Sequence, residues 1–225
     1  MMSNSNISII PMRKEDTIHV ASLHRISLPK GFLSRFNDDF LTRLYMSICE
    51  APSSGVLVAI DRYGTCLGFV SGSSNVPRCY RSIIFKSGLY LAKYALPNLF
   101  SLSSFKFALE TLMYPISVHR RNWTSKYNKS NPGVGNCTAE LLSLAVDKSA
   151  RNLGIGSRLI AALENAFLHW GHHGQYRVVT DAEDTGTQGF YMSLGFEPVA
   201  QILHHGHPLT VYVKNLSNGG IECRD

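Results

Sequence analysis

Apolar and polar positions in residues 140–196 follow two different periodicities. Nearly continuous apolar runs at 140–146 and 176–180 are typical of buried β-strands. Residues 157–170, which lie between them, carry apolar side chains at helical spacing and predict an amphipathic helix. The order is therefore strand, glycine-containing turn, helix and strand, followed by a short helix that ends near Phe196.

The flanking sequence shows the same mixture of strand and helix patterns. The expected elements outside the centre are a strand at 7–12, a helix after 13–16 that carries Ile18, Ala21 and Leu23, a second helix after the N-cap residue Asn37, a hairpin of strands 56–60 and 66–71, and two strands at 199–203 and 209–214. These patterns predict an α/β protein whose central strand is preceded by strand, helix, helix, strand and strand.

Residues 75–137 are longer than a turn between two strands requires. Apolar spacing at 83–94 and 105–114 predicts a small helical insertion there, because a structureless loop of this length is uncommon. The segment holds nine basic residues and one acidic residue, a net charge of +8, whereas the whole chain carries +6. Such a face suits an anionic substrate or a negatively charged surface, and interleaved aromatic residues allow a peripheral membrane contact through 75–130. The alternative is that the segment only covers the domain and exposes its basic side chains to solvent.

Length and composition favour one globular domain over residues 1–225. The chain has 225 residues, of which 44% are hydrophobic, and no apolar run approaches the ~20 residues of a membrane span. No secretory signal pattern stands at the N-terminus. The five cysteines are scattered without a Cys-x-x-Cys pair, which favours reduced thiols in a cytoplasmic protein. His172, His173 and the histidines of 204–207 have no acidic or thiol neighbours that would complete a ligand set, so no metal is expected.

Gly154 and Gly156 stand where the predicted central helix begins. Glycine lets the backbone approach a ligand closely, and the free N–H groups of a helix start favour an anion such as a phosphate. The Gly-Lys-Ser/Thr of a Walker A motif is absent. A dinucleotide fingerprint needs a third glycine where Leu159 stands, and its first glycine should follow the strand directly, whereas Gly154 comes eight residues after Val146. An ordinary glycine helix start is the remaining alternative.

Two motifs resemble those of the GNAT (GCN5-related) N-acetyltransferases. The first is a strand ending in Leu-Ala-Val at 144–146, followed by Arg-x-x-Gly-x-Gly at 151–156. The second is Phe-Tyr-x-x-x-Gly-Phe at 190–196. The resemblance covers about a quarter of the chain closely. It implies the GNAT fold: a central mixed, mostly antiparallel twisted sheet flanked by helices, here with a helical insertion before the central strand.

The resemblance also implies a reaction, the transfer of an acetyl group from acetyl-CoA to a primary amine by direct attack in a ternary complex. The central strand would bond the pantetheine arm and polarise the thioester carbonyl, and the glycine turn would hold the pyrophosphate. Tyr191 occupies the position of the general acid, since a phenol with a pKa of about 10 suits a thiolate leaving group. The implied cofactor-binding residues are Leu144, Ala145, Val146, Arg151, Asn152, Leu153, Gly154, Ile155, Gly156, Ser157 and Gln188.

Glu140 begins the central strand, where many members of the family place the general base. Asp181 and Glu183, which follow the next strand, are rivals for this role. The sequence departs from the family in the stretch Asn-x-x-Ala-x-x-Phe-Tyr, because Asp184 and Thr187 replace the asparagine and the alanine. Gln188 is then the candidate for the amide contact to the cofactor arm.

The chain, with its basic insertion, resembles acetyltransferases that act on amino sugars or nucleotide-linked amino sugars, which implies a small and possibly anionic amine as acceptor. Acetylation of protein N-termini or lysines is an alternative, although the ribosomal-protein branch has a glutamate where Val179 stands. A cationic acceptor such as a polyamine is expected to need acidic residues around its pocket, so the basic insertion argues against it. A hypothesis of another class is a non-catalytic module that binds acetyl-CoA or anions. No nucleic-acid partner is expected.

Overall fold

The described part of the chain forms one open, seven-stranded sheet. The computed structural model describes residues 7–29, 31–95, 137–204 and 207–216. The strand order is β1-β2-β3-β4-β5-β7-β6, and every neighbouring pair is antiparallel except β4 and β5, which run parallel. The mixed, mostly antiparallel α/β fold class is therefore confirmed. The strands are β1 Ser8–Pro11, β2 Ser54–Ile60, β3 Cys66–Ser73, β4 Ala139–Val146, β5 Gln175–Asp181, β6 Glu197–His204 and β7 His207–Asn215.

Helices cover both faces of this sheet. One face packs against α4 and α5, and the other packs against α1, α2 and α3. Short 3-10 helices occur at Lys14–Asp16, Phe32–Arg35 and Lys148–Ala150. Within the described residues there are five α-helices, namely α1 Thr17–Ser27, α2 Asp38–Glu50, α3 Val76–Ala95, α4 Ile155–His169 and α5 Thr185–Ser193. None of them is long and apolar enough to cross a membrane.

The predicted apolar stripe of the central helix is the buried face of α4. Leu159, Ile160, Leu163 and Phe167 are almost fully buried against the sheet, as the helical spacing requires. Asn37 caps α2 as expected, because its side-chain oxygen accepts a hydrogen bond from the Phe40 N–H at 3.0 Å. Ile18 lies on the outer side of α1. Its side chain is 61% exposed, because α1 turns Val20, Ala21 and Leu23 towards the interior instead.

The first predicted helix of the segment 75–137 is present as α3, which is longer than expected. It packs antiparallel to α2 through a buried hydrogen bond of 2.9 Å between the Ser47 and Ser87 hydroxyls. The second predicted helix, at 105–114, lies outside the described residues. The assignment of 75–137 as an insertion within a single domain of residues 1–225 stays a prediction.

His24 is a buried imidazole between α1 and the sheet. It is 3% exposed, and its Nδ1 lies 2.5 Å from the Tyr45 hydroxyl. Its Nε2 has no hydrogen-bond partner among the described residues. Burial lowers the pKa of His24 to about 4 from its ordinary value of 6.5, because a charged imidazolium would lose its hydration there.

This buried imidazole predicts an acid-dependent loss of stability. Between pH 6.5 and 4 the unfolded chain binds a proton at His24 that the folded chain does not bind, so the free energy of unfolding falls as the pH falls through this window. From pH 7 to pH 5 the expected loss from this group is about 2 kcal/mol. Urea unfolding at both pH values, compared with a His24→Gln variant, measures it. Identical pH dependence in the two proteins would contradict the prediction.

Candidate active site

Strands β4 and β5 pair only at their beginnings and then separate. The parallel register runs from Ala139 opposite Tyr176 to Leu141 opposite Val178 and stops there. On the other side, β4 stays paired with β3 up to Val146, with a bulge at Leu142. A bulge bends its strand, so it bends β4 at the point where pairing with β5 ends. The result is a wedge in the sheet, bordered by residues 142–146 and 179–181.

Hydrogen-bond alternation shows which main-chain groups of β4 face this wedge. The Asp147 N–H donates to the Leu67 carbonyl at 2.8 Å, which fixes the phase of the β3–β4 ladder. Facing residues of an antiparallel pair alternate between bonded and non-bonded positions, so Ala145 turns its amide to β3. The N–H and C=O groups of Leu144 and Val146 therefore point to the opposite side, into the wedge. Of the three predicted strand residues, Leu144 and Val146 can offer main-chain bonds there.

The glycine turn lies beyond the end of β4 and opens α4. Asn152 has φ of 63° and Gly154 has φ of 71°, so two of its residues are left-handed. Gly154 is the N-cap, and the first main-chain bond of the helix is donated by the Arg158 N–H to the Gly154 carbonyl at 3.1 Å. The N–H groups of Ile155, Gly156 and Ser157 precede this bond and have no intrahelical acceptor. With the positive end of the helix dipole, they form a site suited to an anion.

Gly156 joins the two sequence motifs in space. A Cβ at this position would lie 3.0 Å from the Phe190 ring of α5, which is closer than side chains normally allow. Leu153 and Ile155 turn inward to the core below. Arg151 stays exposed, with its Nε 3.4 Å from the Val146 carbonyl. The glycine turn, the end of β4 and the Phe-Tyr helix therefore form one contiguous region at the mouth of the wedge.

Tyr191 lies in an aromatic cluster on the same side of the sheet. Its ring contacts Phe190 and Phe196, with ring centroids 5.3 and 5.2 Å apart, and the side chain is 5% exposed. Among the described residues, the Tyr191 hydroxyl has no hydrogen-bond partner. Burial raises the pKa of Tyr191 above its ordinary value, so the hydroxyl keeps its proton at neutral pH.

Glu140 forms a buried ion pair with Arg177 of β5. The Arg177 Nε and Nη2 atoms lie 2.8 and 2.7 Å from the same carboxylate oxygen, Oε2. Arg177 is 1% exposed and Glu140 is 8% exposed. The two residues lie opposite each other in the short stretch, 139–141 and 176–178, over which β4 and β5 are paired. A base role for Glu140 would fall to Oε1, which lies outside these two contacts.

The loop between β5 and α5 explains the departures from the family motif. Asp184 caps α5: its Oδ1 accepts from the Thr187 N–H at 2.9 Å and its Oδ2 accepts from the Thr187 hydroxyl at 2.7 Å. Asp184 and Thr187, the two residues that depart from the family motif, are thus hydrogen-bonded to each other. The Gln188 side-chain amide donates to the Ala182 carbonyl at 2.8 Å, so its Nε2 closes the loop. A cofactor contact from Gln188 stays a prediction and would use its Oε1.

The sequence interpretation did not single out Arg177 or His24. A signal was available for Arg177, because it is the one charged residue within the apolar run 176–180, as Glu140 is in 140–146. A charged side chain on a buried strand normally has an oppositely charged partner, and this rule would have suggested the contact. For metals, no cluster of three His, Cys, Asp or Glu side chains suited to an ion occurs in the part of the chain that the structure describes.

Comparison with known proteins agrees with this geometry. The family model of the acetyltransferase (GNAT) domain matches residues 123–198, which include the central strand, the glycine turn and the Phe-Tyr helix. A search of curated proteins finds no match.

Solved structures show the same fold at low sequence identity. Similar chains include yncA of Salmonella typhimurium with its cofactor acetyl-CoA (TM-score 0.58, 15% identity, 96% of each chain covered), Vibrio cholerae spermidine/spermine N-acetyltransferase SpeG in complex with manganese ions (TM-score 0.53, 13% identity, 95% of each chain), and Arabidopsis thaliana NAA60 in complex with a bisubstrate analogue (TM-score 0.55, 13% identity, 93% of this chain and 97% of that chain). The split sheet beside a glycine helix start, together with the family match, defines an acyltransferase. These findings support membership of the GNAT superfamily, whose domain model matches residues 123–198.

Proposed function

We propose that the protein transfers the acetyl group of acetyl-CoA to the primary amine of an amino sugar or a nucleotide-linked amino sugar, by direct attack in a ternary complex. The observation that carries the proposal is the wedge between β4 and β5, with the N–H groups of Leu144 and Val146 directed into it from one border and the α4 N-terminus at its mouth. An extended, amide-bearing arm that ends in a pyrophosphate matches both features.

The residues present fit such a donor. The N–H groups of 155–157 would bind the pyrophosphate, with Arg151 adding a positive charge. Leu144 and Val146 would bond the pantetheine amides as a neighbouring strand does. Acetyl-CoA supplies an activated thioester, and the Leu144 N–H would be the donor that polarises its carbonyl. A fixed donor of this kind typically lowers the activation barrier by about 3 kcal/mol.

Two side chains would manage the protons of the transfer. The amine nitrogen bonds to the acetyl carbon while the carbon–sulfur bond breaks, so the amine loses one proton and the thiolate gains one. Tyr191 would donate to the sulfur, since its buried hydroxyl is protonated and has no competing partner among the described residues. Glu140 would accept the amine proton through Oε1, with Asp181 and Glu183 as rivals.

Charge supports an anionic acceptor. Arg78, Arg81, Lys86 and Lys93 are all exposed on α3, and that helix contains no acidic residue. A positive face of this kind raises the local concentration of a nucleotide diphosphate and disfavours a polyamine. The whole segment 75–137, with its charge of +8, would extend this field.

Thiol release from acetyl-CoA tests the proposal against a panel of amines: nucleotide-linked amino sugars, free amino sugars, peptides with free N-termini, and polyamines. We expect fastest release with a nucleotide-linked amino sugar, with a KM that rises when salt is raised from about 0.05 to about 0.5 M, because ions screen the attraction. A free amino sugar, whose KM should respond less to salt, is the matched control.

Each other outcome points to a different function. Release with peptides alone would make the protein an N-terminal or lysine acetyltransferase and contradict the amino-sugar assignment. Release with polyamines would contradict the role given to the basic face. If no amine of the panel causes thiol release, while acetyl-CoA still raises the melting temperature, the result would favour a binding module without catalysis.

A further inference from the structure

Helix α3 exposes large apolar side chains to solvent. Phe85 is 90% exposed and Leu89 is 94% exposed. The two residues are four positions apart, so their side chains lie on one side of the helix, one turn after the other. Four of the nine exposed large apolar side chains of the described residues lie on this helix, namely Ile84, Phe85, Leu89 and Tyr90. Single exposed apolar residues need no explanation, whereas a contiguous patch of them indicates a contact with a partner.

Basic side chains lie at both ends of this patch. Arg81 is four positions before Phe85, Lys93 is four positions after Leu89, and both basic residues are exposed. Residues four apart follow one another along a helix surface, so Arg81, Phe85, Leu89 and Lys93 form a single row. We call this row the α3 ridge. Its sequence of side chains is basic, apolar, apolar and basic.

The opposite side of α3 is packed against the domain. Cys79, Ile83 and Ser87, which are also four positions apart, are 0%, 6% and 2% exposed. Each of them precedes a residue of the α3 ridge by two positions, which is a rotation of about 200° around the helix. The Ser87 hydroxyl accepts a hydrogen bond of 2.7 Å from the Arg43 guanidinium of α2. The helix is therefore held with its ridge directed outward.

Charge indicates which partner fits the α3 ridge. Arg78 and Lys86 are exposed on the same helix, and α3 contains no acidic residue. An apolar centre between basic residues matches a bilayer surface with anionic lipids, because the apolar side chains reach the acyl region while the basic groups stay at the phosphates. Nucleic acid also presents phosphates, but it offers no apolar layer for Leu89. A lipid surface satisfies both halves of the pattern.

We propose that the α3 ridge docks the protein on the surface of a membrane that contains anionic lipids, with Phe85 and Leu89 inserted between the headgroups. The helix lies along the bilayer surface and does not cross it. The inference goes beyond the proposed function, because neither apolar side chain takes part in binding acetyl-CoA or in the transfer. It assigns a partner to a face that the reaction does not use.

Sedimentation with lipid vesicles tests the proposal. We expect the protein to sediment with vesicles of phosphatidylcholine and phosphatidylglycerol in a ratio of about 3:1, and to bind at least about tenfold more weakly to phosphatidylcholine alone. Binding to the mixed vesicles should weaken when salt is raised from about 0.05 to about 0.5 M, because ions screen the attraction between the basic residues and the headgroups.

Variants separate the apolar contribution from the charge. Phe85→Ser with Leu89→Ser keeps every charge and should weaken binding to the mixed vesicles by at least about tenfold, because the inserted side chains are lost. Arg81→Gln should weaken it about fivefold. The matched control is Ile18→Ser with Ile26→Ser on α1, where both side chains are 61% exposed. This control removes exposed apolar surface away from the ridge and should leave vesicle binding unchanged.

Two further readouts of the Phe85→Ser, Leu89→Ser variant complete the test. Its melting temperature should equal that of the wild type, because the replaced side chains are exposed. Its thiol release from acetyl-CoA without vesicles should also be unchanged, because all basic side chains of α3 remain. Vesicle binding is measured without substrate, so a failure of docking and a failure of the proposed function are observed separately.

Four results would overturn the docking role. The first is a wild type that does not sediment with the mixed vesicles. The second is binding that depends on Arg81 but not on Phe85 and Leu89, which would mean charge attraction without insertion. The third is an equal loss in the α1 control. The fourth is a lower melting temperature of the Phe85→Ser, Leu89→Ser variant, which would show that the protein itself covers the ridge.

Discussion

Replacing Arg177 by methionine is expected to lower the free energy of unfolding by roughly 3–5 kcal/mol. Arg177 is 1% exposed and contacts the Glu140 carboxylate through two nitrogens. Methionine has a similar volume and leaves Glu140 charged, buried and without its partner. Desolvation of that lone carboxylate, rather than loss of the attraction itself, makes the cost large. Urea unfolding followed by circular dichroism measures the change.

Two further variants show whether burial is the cause. The double variant Arg177→Met with Glu140→Met should regain most of the lost stability, because no unpaired charge is then left between β4 and β5. Arg25→Met breaks an ion pair with Asp38 whose side chains are 48% and 40% exposed, and it should change stability by less than about 1 kcal/mol. Equal effects of Arg177→Met and Arg25→Met would show that Glu140 is solvated.

Tyr191→Phe is expected to lower kcat about a hundredfold with little change in the KM for acetyl-CoA. The phenylalanine ring keeps the contacts with Phe190 and Phe196, so the fold should survive. The hydroxyl that would protonate the departing thiolate is lost. Because burial raises the pKa of Tyr191, its proton is retained at high pH, and the wild-type rate should show no loss from this group below about pH 10. Steady-state kinetics across pH measures both effects.

Tyr176→Phe is the control for this change. The Tyr176 hydroxyl is also buried, but it donates to the Glu164 carboxylate on α4 at 2.5 Å and so already has a partner away from the wedge. Its loss should cost about 1–3 kcal/mol of stability and leave kcat unchanged. An unchanged kcat in Tyr191→Phe would rule out its role as the acid, and a loss shared by both variants would point to a disturbed aromatic cluster.

The ion pair and the wedge belong to one feature of the sheet. Glu140 and Arg177 face each other in the short part where β4 and β5 are paired, and the strands separate after Leu141 and Val178. Arg177→Met should therefore loosen the closed end of the wedge. In that variant we expect weaker binding of acetyl-CoA as well as lower stability, since the two strands that border the arm lose a cross-strand link.

The sequence by itself determined the elements and the two motifs. Apolar spacing in α4 predicted its buried face, Asn37 predicted the start of α2, and the glycine turn with the Phe-Tyr helix led to the GNAT superfamily. These features are local, because periodicity, caps and turns depend on residues within about one or two helical turns of each other. Such information can be read along the chain without knowing what packs against it.

Tertiary structure alone decided the polar contacts in the interior and the shape of the site. Glu140 meets Arg177 across 37 positions, and His24 of one helix meets Tyr45 of another across 21 positions. The direction of the Leu144 amide depends on the bulge and on the register with β3. Partners of this kind are set by which elements pack together, and no periodicity in the sequence records that choice.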